Sequence, residues 1–89
     1  MRIGLLNNLR AGRSNPKVRR ILGLLRHYPE VAHVETTSVR SVPEALASLT
    51  RQKVELLVVN GGDGTLQHTL TQMLTSDDIP SIPMVAPLR

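Results

Sequence analysis

Val54 to Val59 is a short, nearly continuous apolar run rich in valine, and it leads into Gly61-Gly62-Asp63-Gly64-Thr65. Leu66, Leu70, Met73 and Leu74 then recur at helical spacing. A run of that kind suits a central strand covered on both faces. Strand, glycine-rich turn and helix in this order make half of a β-α-β unit, and chains built from such units fold around a parallel sheet. No other feature limits the architecture of these 89 residues as much.

The rest of the chain repeats the alternation. Arg2 to Asn7 reads as a first strand and Asn8 to Ser14 as a loop. Asn15 is placed to cap a helix that has Pro16 at its first position. Val18, Ile21, Leu22 and Leu25 share one face of that helix, and Pro29 ends it. Ala32 to Thr36 reads as a weaker second strand. Ser41-Val42-Pro43-Glu44 has capping-box spacing, and Val42, Ala45, Leu46 and Leu49 form the stripe of a second helix. Ser76 to Pro80 reads as a connection and Ile82 to Ala86 as a fourth strand. The expected class is α/β, three-layered, with a parallel sheet of three to four strands and flanking helices.

Composition removes several functions. There is no Cys, so disulfides, thiol nucleophiles and cysteine zinc sites are out, and His27, His33 and His68 lack zinc-ligand spacing. The apolar run Ile3 to Leu6 is too short for a signal peptide or a membrane span, which predicts a soluble chain, and the lack of Cys fits a cytoplasmic one. Tyr28 is the lone aromatic, too few for a base-stacking surface, so nucleic acid is not an expected partner. The net charge is +4, and Arg10, Arg13, Lys17, Arg19, Arg20 and Arg26 crowd the first third. Such a stretch attracts phosphates or anionic surfaces, although a solvated helix face accounts for most of it.

The glycine-rich segment carries the chemistry. Glycines allow positive φ and close backbone approach to a ligand. The helix that follows points free N–H groups and its positive dipole end at the same place. Phosphate is the ligand that fits, and the Thr65 hydroxyl adds a further contact. An ordinary strand-to-helix turn would need fewer glycines. Asp63 fixes the loop, reaches a metal through water, or acts as a base; loop fixing is the preferred reading. Asp77 and Asp78 read as loop residues.

Topology adds a second line. Ligands of open parallel sheets bind at the carboxyl ends of the strands. Asn7 and Asn8, Thr36 and Thr37, and the glycine turn should therefore meet along one edge.

Val58-Val59-Asn60-Gly61-Gly62-Asp63-Gly64-Thr65-Leu66 resembles the signature of the diacylglycerol kinase catalytic domain, shared by sphingosine, ceramide and bacterial lipid kinases. Asn8-Leu9-Arg10-Ala11-Gly12-Arg13 resembles the first-loop pattern of that family, and Thr37 falls where it places a nucleotide-contacting threonine. The resemblance covers essentially the whole chain and implies a Rossmann-like fold. It implies ATP with Mg²⁺, the nucleotide contacting Asn8, Thr37, Gly61, Gly62, Asp63, Gly64, Thr65 and Gln67. The implied reaction is transfer of the γ-phosphoryl group to a lipid hydroxyl, of the diacylglycerol type.

Leu9 departs from the usual Pro of the family, and Gln67 and His68 stand where Asn and Glu are common. The family also carries a second, β-rich domain with the lipid site and a catalytic acid, and nothing here matches it. The expectation is therefore that residues 1–89 are an amino-terminal nucleotide-binding domain, inactive alone. Lipid would be met through the missing domain, with peripheral membrane contact open to the longer protein, and the 89 residues themselves are expected to self-associate, most simply as a homodimer. A non-catalytic nucleotide- or phosphate-binding module and an NAD kinase-like fragment are the competing readings.

Overall fold

The computed structural model describes residues 1–10, 14–75 and 84–88, with the side chains of Val39 and Asp63 left aside. Among the described residues, four strands and three α-helices alternate: β1 (Ile3–Asn8), α1 (Pro16–Leu25), β2 (Ala32–Thr36), α2 (Val42–Arg51), β3 (Leu56–Asn60), α3 (Asp63–Thr75) and β4 (Met84–Pro87). All strand pairs are parallel, and the order across the sheet is β2-β1-β3-β4. The expected α/β class and parallel sheet are what the molecule adopts.

Hydrophobic pattern explains the layering. In parallel strands successive side chains alternate between the two faces. Gly4 and Leu6 of β1 and Leu57 and Val59 of β3 meet the stripe of α2, where Val42, Ala45, Leu46 and Leu49 are buried. Leu66 and Met73 of α3 and Val85 of β4 complete this core. Ile3, Leu5 and Val58 face the other way, towards Ile21, Leu24 and Leu25 of α1, around an apolar groove of about 190 Å³. At roughly 25 cal/mol per Å² of apolar area, the fully buried Leu6, Leu46, Leu49 and Leu57 contribute about 1.5–3 kcal/mol each.

Several local expectations hold. β2 has the expected bounds. Asn15 caps α1, its Oδ1 accepting from the Lys17 and Val18 amides at 2.9 and 3.3 Å, with Pro16 in the first turn.

Others are corrected. α1 ends at Leu25, ahead of Pro29, with Arg26 as the C-cap residue. Proline restrains the residue before it, and the last turn has already closed through His27 and Tyr28 amides on Leu24 and Leu25 carbonyls. The capping box is not made: Ser41 ends a 3₁₀ turn (Val39–Ser41), its own backbone is helical (φ −84°, ψ −11°), and its side chain makes no capping bond. An N-cap needs extended backbone to aim its side chain at the helix. Val54 is buried but lies before β3, its amide on the Leu49 carbonyl at 3.3 Å. In α3, Leu66 and Met73 turn inward as expected, while Leu70 is 40% and Leu74 86% exposed. Thr65 and Thr69 take the inward positions instead. The Ser76–Pro80 connection, with Asp77 and Asp78, and residues 82 and 83 of the expected fourth strand lie outside the described residues.

Candidate functional site

Strand order decides where a ligand can enter. From β1 the chain passes through α1 to β2 on one side; from β2 it returns through α2 to β3 on the other. The connections leaving β1 and β3 therefore diverge to opposite faces of the sheet. A crevice opens between their carboxyl ends, the usual ligand position in such sheets.

The crevice is a cavity of about 350 Å³. Asn8, Arg10, Asn15, Lys17 and Val18 line it from the β1 side, and Asn60, Gly61 and Gly62 from the β3 side. A second cavity of about 280 Å³ lies across the glycines, against Val59, Leu66, Pro87 and Leu88. Lys17, Gly61 and Gly62 border both.

Asn8 joins the two halves of the site. Its Nδ2 donates to Thr65 Oγ1 at 2.7 Å, and its Oδ1 accepts the Arg10 amide at 2.9 Å. One side chain thus shapes the loop after β1 and anchors it on the first turn of α3. Thr65 is buried, and its carbonyl accepts from Thr69 Oγ1 at 2.8 Å, so the helix start is held from both directions.

α3 begins at Asp63, so the motif is not a turn followed by a helix: Asp63, Gly64 and Thr65 are its first turn. The amides of Thr65 and Leu66 donate to the Gly62 carbonyl at 3.0 and 3.2 Å. The amides of Asp63 and Gly64 have no carbonyl of their own helix to reach, and they stand at its positive end.

The expected use of positive φ is corrected here. None of Gly61, Gly62 and Gly64 adopts it. Glycine is required for space. A Cβ on Gly61 would lie 2.8 Å from Thr65 Cβ and 2.9 Å from its Oγ1. A Cβ on Gly62 or Gly64 would meet nothing within 4 Å. The first glycine lets helix and strand close up, and the other two leave bare backbone facing open space.

Of the residues singled out in the sequence, Asn8, Gly61 and Gly62 line the cavity, and Gly64 and Thr65 sit at the helix start beside it. Asp63 is the first residue of that helix. Thr37 and Gln67 are exposed and do not line it. Thr37 follows β2, one strand away from the crevice, and Gln67 lies in the second turn of α3. Ala11, Gly12 and Arg13 of the first loop lie outside the described residues.

Arg10, Asn15, Lys17 and Asn60 border the cavity without having been singled out for it. Asn60 had a legible signal, a polar residue closing an apolar run. Arg10 and Lys17 looked like surface charge, because sequence alone does not say that the N-terminus of α1 meets the glycine turn. Among the described residues, no three of His, Cys, Asp and Glu gather as a metal site. No helix among them is long and apolar enough to cross a membrane.

No individual curated protein matches the chain. The sequence model of the diacylglycerol kinase catalytic domain matches residues 2–87, which include every element of the fold and both sides of the crevice. By that match the chain belongs to the diacylglycerol kinase catalytic domain family.

Proposed function

We propose that residues 1–89 are the nucleotide-binding part of a lipid kinase, which transfers the γ-phosphoryl group of ATP to the hydroxyl of a diacylglycerol-like lipid. The observation that carries this reading is the bond from Asn8 Nδ2 to Thr65 Oγ1, which holds the first loop and the glycine motif on either side of one basic cavity. Bare backbone at Gly62 and Gly64, two free amides at a helix start and the side chains of Arg10 and Lys17 suit a polyphosphate. Asn8 acts through position: it holds Thr65 and the Arg10 turn where the phosphates would lie.

These residues fit a magnesium nucleotide. Mg²⁺ keeps several waters and takes only one or two protein carboxylates besides the phosphates, so no cage of acids is needed. Asp63, the first residue of α3, is the acidic residue of the motif, and we assign it to the ion by its position in the sequence. The ion would draw charge from the transferring phosphoryl group; the protein residues position the chain and exclude alternative poses.

The acceptor site and the acid or base that acts on the lipid hydroxyl belong, in this proposal, to a second domain. Titration calorimetry with Mg-ATP tests the nucleotide reading, and no measurable heat up to millimolar ligand overturns it. Phosphate transfer from ATP to diacylglycerol or sphingosine tests the division of labour. The 89-residue chain should give none, whereas turnover of about 1–100 per second would place the whole reaction in this domain.

A further inference from the structure

Two cavities flank the Gly61-Gly62 turn, and one charged side chain borders both: that of Lys17. Its Nζ donates to the Leu88 carbonyl at 3.2 Å, across 71 positions of sequence. Leu88 follows β4, and its own amide donates to the Val59 carbonyl at 2.8 Å. Lys17 thus reaches from the start of α1, over the glycine turn, to the end of the sheet.

Its position is electrostatically odd. Lys17 lies in the first turn of α1, next to the positive end of that helix dipole, and no acidic residue stands in that turn. Cations are disfavoured at this end of a helix and anions favoured. The N-terminus of α3 opens onto the same crevice, as Gly61 and Gly62 lead into it. Arg10 adds another positive group. Among the described residues lining either cavity there is no carboxylate. Two helix N-termini and two cations therefore converge on a space where none of the described lining side chains supplies a compensating negative charge.

Resting on the reading of this crevice as a nucleotide site, we propose that Lys17 binds the phosphate chain of the nucleotide and ties the end of β4 to it. An ammonium has three donors. One is engaged by Leu88, which leaves two for a ligand in the cavities that Lys17 borders. Phosphate at the turn supplies the missing anion, and Lys17 then connects bound phosphate directly to the segment leaving β4. Arg10 lacks this reach, since it borders only the first cavity.

The test compares the unaltered chain with Lys17→Gln and Lys17→Arg by calorimetric titration with Mg-ATP and with adenosine. Lys17 is exposed, so the variants should keep the fold, which thermal melting checks. Lys17→Gln should weaken Mg-ATP by about tenfold or more, the loss of one charge-assisted contact, and leave adenosine unchanged. Lys17→Arg should keep most of the affinity. Hydrogen exchange at the Leu88 amide should slow when ATP is added to the unaltered chain and not when it is added to Lys17→Gln. Equal losses for ATP and adenosine would mean a structural role and overturn the proposal, as would unchanged ATP affinity. If the unaltered chain binds no ATP, the nucleotide reading fails and this one with it; if both chains bind ATP equally, only the role of Lys17 falls.

Discussion

Asn60 Nδ2 donates to Asn7 Oδ1 over 2.6 Å, at the ends of the two central strands, and both side chains are buried. The pair ties β1 to β3 where their connections diverge to opposite faces. It is not a hydrophobic core contact, and Asn7 Nδ2 has no partner among the described residues. A buried amide with an unmade hydrogen bond is destabilising. A buried polar pair under the crevice, one of its amides unsatisfied, therefore suits a role in holding its shape.

Removing one member should leave the other unpaired. Asn60→Ala should destabilise the fold by about 1–3 kcal/mol, read as a lower urea midpoint. Asn7→Ala should do the same, and the double variant should lose less than the two single losses added together. Simple additivity would mean that the two amides do not act as a pair.

The glycines of the motif should separate under substitution. Gly61→Ala forces a methyl against Thr65 and strains its bond from Asn8, so both stability and nucleotide affinity should drop. Gly62→Ala and Gly64→Ala meet no protein atom, so only affinity should drop. Gly64 is helical, and alanine there should raise stability by about 0.5–1 kcal/mol. Thermal melting with calorimetric titration reads both quantities. If Gly62→Ala and Gly64→Ala keep full affinity, nothing approaches that backbone.

Gly4 gives the core its closest fit. A Cβ there would lie 2.8 and 2.9 Å from the two γ-carbons of Val54 and 3.2 Å from Leu49 Cδ2. Gly4→Ala should cost about 1–3 kcal/mol by overpacking. Adding Val54→Ala makes room for the new methyl, so the pair should be more stable than the sum of its single effects. Denaturant unfolding of the four chains checks this.

Leu74 at 86%, Met84 at 43% and Leu70 at 40% exposure leave apolar surface on α3 and β4, and β4 is an edge strand. Exposed apolar surface and open edges favour association. The chain should self-associate with rising concentration, measured by light scattering after size exclusion, and Leu74→Glu should shift it towards monomer. A monodisperse monomer at millimolar concentration would show that these residues are simply solvated.

Much of the fold was legible because its signals are local. The limits of β2, the Asn15 cap and the stripe Val42, Ala45, Leu46 and Leu49 depend on neighbouring residues and on helical or strand period alone. The meeting of Asn8 with the glycine motif was legible too, because parallel strands put their carboxyl ends on one edge.

Other features were decided by partners distant in the chain. Hydrophobicity alone assigns Leu70 and Leu74 to the buried face of α3, yet the helix turns Thr65 and Thr69 inward, since Thr65 must meet Asn8 and pack beside Gly61. The capping spacing at Ser41 was real in sequence and failed because a preceding 3₁₀ turn set its backbone. Three glycines announced a close approach, but whether they served positive φ or empty space depended on where Thr65 came to rest. The pairing of Asn7 with Asn60 and the reach of Lys17 to Leu88 join residues 53 and 71 positions apart. Their geometry follows from the strand order β2-β1-β3-β4, which is set by how the helices cover both faces of the sheet. Periodicity determines what each segment becomes; only the packing of segments determines which side chains share a site, because burial and charge are properties of the assembled surface.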